Sequence, residues 1–376
     1  MSLHPLLRDK RVLVLCGAGG VGKTTTAAAL GVAAARAGRR VLVLTIDPAR
    51  RLAEAMGLPA GGAEPTTVPA ERLRQGDATA TPGQLDVWML DPGIIFERMV
   101  RRMSPTPEAA RTILEHRFYG FLSGLVAGVQ EYAAAEALDA FLHEGRYELI
   151  ILDTPPSRNA LDFLEAPGRL SRFLDDRVVS LFGLDSGGGR GGGLWRKATQ
   201  LVSGVLGSVF GDSFVGDLRS FVSAFSGLFA GIRLHTERLR ARLSSPEAAF
   251  LLVTSPEAAA LEEAAFFRKT LTEQGLPFAG YVLNRSWARD EELPTPEALL
   301  RHVPGDDAAR TGVEALSRLA QWERERAGEH RRLLARLAER LPTGAVAVAA
   351  PEVGGELEDF AGLTRLGEAL GAPAVR

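Results

Sequence analysis

Early in the chain an apolar run, RVLVLCG at 11–17, passes into Gly17, Ala18, Gly19, Gly20, Val21, Gly22, Lys23 and Thr24, and an alanine-rich helical pattern follows at once over 23–38. The loop satisfies G-x-x-x-x-G-K-[ST] between a buried strand and a helix. Its glycines permit backbone angles that turn successive N–H groups inward to cradle phosphate oxygens, and the helix N-terminus adds positive partial charge. Lys23 is read as neutralising β and γ phosphates, and the Thr24 hydroxyl as completing a Mg²⁺ shell. A mere tight turn is the plain alternative, and the strand, loop and helix context argues against it.

Further apolar runs recur at 41–47, 85–91, 147–153, 249–254, 279–284 and 344–350, apolar on both faces rather than alternating. Such runs are fully buried strands. Helix-like stretches at 256–274 and near 306–341 separate some of them, so the expected fold class is α/β, a mainly parallel, doubly wound sheet carrying a phosphate loop. Asp47 in TIDPARRL and Asp153 in LIILDTPPS end two of these strands. A carboxylate there sits on the ligand side of the sheet. Asp153 has the pattern of a residue that orders metal-bound water, and Asp47 is placed to hold the attacking water or act as its base. For each the alternative is a turn or N-cap aspartate. Asp91, in a similar LDP, has no phosphate-side role and is read as structural.

The intervals 93–146 and 157–247 are too long for single crossovers and carry helix-period apolar residues. They are read as a helical subdomain inserted into an ATPase domain formed by 1–92, 147–156 and 248–376. SGGGRGGG at 186–193 reads as a flexible loop, since six glycines in eight residues cannot repay ordering entropy without a ligand; an anion-binding loop around Arg190 is the other reading.

Composition narrows the partners. Apolar residues make up 46% and charged residues 24% of the 376 residues, and the formal net charge is −2. No global positive field points to nucleic acid or an anionic membrane. Cys16 is the single cysteine, which excludes an internal disulfide framework and any multi-cysteine metal site within one chain. Lying in an apolar strand, it reads as a core residue. The short, charged opening MSLHPLLRDK does not read as a secretory signal, so the expected location is cytoplasmic.

Together these motifs resemble the ArsA/Get3 ATPases, which include arsenite-pump ATPases and factors that target tail-anchored membrane proteins. GAGGVGKTT, through Thr25, is similar to the family's deviant phosphate loop; TIDPARRLAEAMG resembles its switch I and LDTPPSRNALDFLEAP its switch II. TSPEAAALEEA resembles the segment with a nucleotide-contacting glutamate, here Glu257. VLNR carries the adenine-recognising asparagine, here Asn284, and AAPEVGG resembles the loop that closes over the base at Pro351 and Glu352. The resemblance implies Mg-ATP as cofactor, a nucleotide-sandwich dimer with a second copy of the chain as default partner, and Asp47 positioning water. Two features depart from the family. Ala18 stands where the signature lysine would reach across the dimer, with Arg50, Arg51 or Arg158 as candidate substitutes. The arsenite-binding cysteines and the CxxC zinc clasp have no counterpart.

Within 201–232 the residues Leu206, Phe210, Phe214, Leu218, Phe221, Phe225, Leu228 and Ile232 fall three and four apart and trace one helix face. Asp212, Asp217 and Arg219 interrupt it too early for a membrane span. Phe118, Phe121, Leu122, Leu125 and Val129 mark a second apolar face. Both faces read either as the core of the insertion or as walls of a groove for an apolar client helix. Three functions follow: an ATPase that captures and releases a hydrophobic helix such as a membrane-protein tail, the energising subunit of an anion pump, or a positioning ATPase similar to ParA or MinD. The apolar insertion favours the first, and the absence of further thiols disfavours an arsenite pump. The remaining histidines form no ligand-spaced cluster, and the charged stretch 322–341 reads as a solvated helix face.

Overall fold

The computed structural model describes residues 2–45, 56–58, 62, 64–75, 81–104, 106–116, 129–154, 237–288, 307–352 and 360–371. They divide into two compact units, Met1–Met89 with Tyr147–Ala160 and Leu243–Arg376, and Leu90–Arg146 with Leu161–Arg242.

In the first unit, α1 (His4–Asp9) leads into β1 (Val12–Cys16), α2 (Lys23–Arg36), β2 (Arg40–Thr45), β3 (Thr66–Thr67), α3 (Ala70–Leu73) and β4 (Gln84–Met89). The chain returns as β5 (Leu149–Asp153) and β6 (Ala248–Thr254). Eight strands form one sheet in the order β3-β4-β2-β5-β1-β6, then β7 (Phe278–Ser286) and β8 (Val346–Pro351). Every ladder is parallel except β3 with β4, where two threonines form a short antiparallel edge. β1, β5 and β6 are buried along their whole length, as strands covered on both faces must be. The sheet is thus the mainly parallel α/β arrangement that the apolar runs imply. The strand expected to reach residue 91 stops at Met89. Asp91 instead caps the next helix, accepting from the N–H groups of Gly93 (2.8 Å) and Ile94 (3.2 Å).

The chain leaves β1 toward β2 on one side and later adds β6 on the other, so β1 lies at the point where the winding reverses. In such sheets the ligand crevice lies there, beyond the carboxyl ends of the strands. α2 starts at that crevice and is buried around most of its circumference, with Ala27, Ala28, Ala29, Leu30, Val32, Ala34 and Ala35 all in the core. Small side chains allow this double burial, against the sheet and against the helix Phe360–Gly371. Gly367 of that helix approaches so closely that an added Cβ would stand 2.4 Å from the Ala29 carbonyl oxygen.

The second unit contains, among its described residues, α4 (Pro92–Met103), α5 (Pro107–Leu114) and α6 (Val129–Glu144), packed through Ile95, Met99, Val100, Ile113, Leu138 and Phe141. Arg102 pairs with the buried carboxylate of Glu136. The apolar stripe of 201–232, Phe118, Phe121, Leu122 and Leu125, and the glycine-rich loop lie outside the described residues. In the first unit, α7 (Ala258–Glu273) follows β6, α8 (Asp307–Ala338) is a single 32-residue helix, and α9 is the closing Phe360–Gly371. No helix among the described residues is long and apolar enough to cross a membrane.

Candidate functional site

The loop between β1 and α2 owes its path to two glycines. Gly17 passes so close over the end of β6 that a Cβ would lie 2.1 Å from the Val253 carbonyl oxygen. Gly22, the N-cap of α2, has φ +91° and ψ 29°, a left-handed conformation in which a Cβ would meet the Asn284 amide nitrogen at 2.1 Å. The loop thus crosses from β1 over β6 to the end of β7. Lys23 is buried, and its ammonium donates to the carbonyl oxygens of Gly17 (2.9 Å) and Ala18 (2.8 Å), inside the curl of the loop. A buried ammonium at a helix N-terminus makes a concentrated positive site, which matches the charge of a polyphosphate.

Asp153, the last residue of β5, is fully buried beside this loop. Its Oδ2 accepts from the hydroxyls of Thr24 (2.6 Å) and Thr45 (2.9 Å). Thr45 is a site residue that sequence reading did not single out. The signal lay in register, since β2 and β5 pair Thr45 directly with Asp153, and register is not read from one sequence. The Thr24 hydroxyl gives its one proton to Asp153 and keeps two lone pairs. A hydroxyl and a carboxylate at this spot are hard oxygen donors, the chemistry that Mg²⁺ prefers. The residues therefore fit the cation: Thr24 would offer it a direct oxygen ligand and Asp153 would hold a water bound to it.

Cys16 closes β1 beneath the loop. Burial pushes its thiol up to about 12, against smaller opposing effects of the Thr154 hydroxyl and the Lys23 ammonium. Thr154 follows Asp153 and locks the strand end by donating from both its N–H (3.3 Å) and its hydroxyl (2.7 Å) to the Leu15 carbonyl oxygen.

The remaining sequence candidates divide. Gly17, Ala18, Gly19, Gly20, Val21, Gly22, Lys23, Thr24 and Thr25 form the loop and the first turn of α2. Asn284 is buried at the end of β7, with its side-chain amide donating to the Val21 carbonyl oxygen at 2.8 Å. Glu257 is exposed at the N-cap of α7, just after β6, and makes no side-chain capping bond. Pro351 ends β8, and the N–H of exposed Glu352 donates to the Ser286 carbonyl oxygen (3.2 Å), which ties the end of β8 to that of β7. Glu257, Asn284, Pro351 and Glu352 thus follow or end three successive strands beside β1. Asp47, Arg50, Arg51 and Arg158 lie outside the described residues. His330 of α8 is buried and accepts from the Trp287 N–H at 2.9 Å, so this histidine belongs to the core rather than to a solvated face. Trp287 also meets Trp322 edge to face at 5.4 Å, joining two tryptophans far apart in sequence.

Comparison with known proteins agrees with this geometry. The family described as anion-transporting ATPase matches residues 10–183, which hold the loop, the two segments that resemble switches and Asp153. A Trypanosoma cruzi protein named as an ATPase ASNA1 homolog is 26% identical over 309 residues, 76% of this chain and 78% of its own length. The ATPase GET3 of Mycosarcoma maydis is 26% identical over 177 residues, 46% of this chain and 48% of its own. A Halobacterium salinarum protein named as an arsenical pump-driving ATPase is 30% identical over 172 residues, 45% of this chain; the aligned part spans only 26% of that relative's length. With the phosphate loop, its buried lysine and the threonine-bound aspartate in place, the chain is similar to the ArsA/Get3 ATPases, and the matched segment 10–183 is the part that carries these residues.

Proposed function

We propose that the chain is a Mg-ATP-driven switch, working as a dimer with a second copy of itself in the cytoplasm, that captures and releases a hydrophobic helical client such as a membrane-protein tail. The observation that carries the nucleotide part is the convergence of Thr24 and Thr45 on Asp153 beside buried Lys23. Bound Mg²⁺ would neutralise charge on the transferred phosphoryl group. Lys23 and the loop N–H groups hold the phosphates, Thr24 and Asp153 hold the cation and its water, Asn284, Pro351 and Glu352 frame the base, and Glu257 contacts the nucleotide. Asp47 positions the attacking water.

The client reading is supported by relatives that carry ASNA1 and GET3 names and by the apolar stripes at 118–132 and 201–232. The arsenical pump reading has the halobacterial name behind it. Against it stands Cys16, buried and with its thiol pushed up to about 12, a poor source of the thiolate that As(III) needs. The formal net charge of −2 supplies no global positive field for a nucleic-acid partner.

Light scattering and phosphate release on wild type and Asp47→Asn, with and without Mg-ATP and an apolar helix peptide, test the proposal. Dimers stabilised by ATP that keep the peptide until hydrolysis support it. A hydrolysing protein that never retains the peptide removes client handling and leaves the pump and positioning roles.

A further inference from the structure

Asn284 stands out because its side-chain amide bonds to the backbone of the phosphate loop. Its Nδ2 donates to the Val21 carbonyl oxygen at 2.8 Å, across 263 residues of sequence, and the pair is buried. Only the NH₂ end of an amide can face a carbonyl oxygen, so this bond fixes which way the side chain points and turns Oδ1 away from the loop. The same nitrogen is what a Cβ on Gly22 would strike, at 2.1 Å. Asn284 therefore braces the loop at two successive residues, Val21 and Gly22. Gly22 is the residue whose left-handed turn starts α2 and directs the N–H groups of its first turn. A buried carbonyl deprived of its donor costs more than an average hydrogen bond returns, so Val21 holds its position only while Asn284 is there.

We infer that Asn284 is a positioning residue for the phosphate loop, holding Val21 and Gly22 in the phosphate-binding shape whether or not a base is bound. The inference rests on the nucleotide reading above and adds to it: one amide links the base end of the site to the phosphate end. A residue that only reads a base has no influence on a ligand without one. A residue that shapes the loop has the same influence on both.

Inorganic tripolyphosphate with Mg²⁺ separates the two. Its affinity and that of Mg-ATP are measured by calorimetry on wild type, Asn284→Ala and Asn284→Asp, well below each variant's melting temperature. Asp has the shape of Asn but sets carboxylate oxygen against the Val21 carbonyl, so loss of the bond and loss of packing predict opposite orders. The expected result is a fall in tripolyphosphate affinity of about threefold to tenfold for Asn284→Ala and a larger fall for Asn284→Asp. Variants that bind tripolyphosphate as wild type does, while losing ATP, overturn the inference and leave Asn284 as a reader of the base. A fall in which Asn284→Asp is milder than Asn284→Ala also overturns it, since packing alone then accounts for the effect. Wild-type protein that binds neither ligand overturns the nucleotide reading itself.

Discussion

Cys16 shows how little freedom the strand beneath the loop has. The thiol is fully buried, and burial raises it from its usual value near 9.0 to about 12. In the unfolded chain the thiol ionises first, so the folded state binds more protons at alkaline pH. Stability from this group is complete below about pH 9 and is lost as pH climbs toward 12. Each pH unit in that window costs on the order of 1.4 kcal/mol. Urea melts of wild type and Cys16→Ala at pH 8 and pH 10.5 check this: the variant is expected to be less stable at pH 8, from lost packing, and to lose less between the two. For the same reason native Cys16 should resist alkylation at pH 8 and react once urea unfolds the chain.

His330 offers the opposite sign. Burial pushes its imidazole below the ordinary histidine range, Arg326 pushes the same way, and Glu329 and Glu352 oppose. Its Nδ1 accepts from the Trp287 N–H, which protonation would forbid. A depressed histidine stabilises above its unfolded value near 6.5 and ceases to as pH falls through the lower folded value. The protection factor of the Trp287 amide should therefore fall as pH drops below about 6.5, even though the intrinsic exchange rate itself slows over that range. His330→Leu, which has no acceptor for the Trp287 N–H, should show that low protection at pH 7 already.

Among elements, the tightest junction is α2 against α9. Gly367 faces the Ala29 carbonyl, and the obstacle to a side chain is backbone, which cannot rotate away. Gly367→Val should cost about 1–3 kcal/mol in urea unfolding, with the melting temperature lowered to match, while Gly38→Ala, at an open left-handed turn, should cost less. α2 and the central strands were legible in the sequence because strands buried on both faces leave uninterrupted apolar runs and α2 leaves an alanine run, whereas the short helices α1 and α3 were not read. β3 was not, since two threonines at a sheet edge carry no periodicity. Lys23, Thr24 and Asp153 were legible as a site because motif and strand ends position them. Thr45 and the brace on Val21 were not: the first depends on the register of β2 with β5, the second on β7 lying two strands from β1.

At the scale of the whole molecule the chemistry turns on charge. Lys23 is the only described loop cation near the phosphates' expected position, and its ammonium also donates to the Gly17 and Ala18 carbonyls. Ala18 brings none, so a transition state that gains charge on its equatorial oxygens needs a second cation from elsewhere. Arg50 and Arg51 follow Asp47, and Arg158 follows Asp153, so both switch segments carry arginines. One of them is expected to take the missing role. Its substitution by alanine should lower kcat about a hundredfold with little change in KM, because a cation that acts on the transition state leaves ground-state binding alone. If the cation comes from the partner copy, specific activity in phosphate release should rise with protein concentration, and mixing the arginine variant with Lys23→Ala should restore part of the lost rate by pairing an intact loop with an intact arginine. Activity independent of concentration, with no recovery on mixing, would place the arginine in the same chain as the phosphates it serves. Three single variants that all keep wild-type kcat would remove the arginine idea.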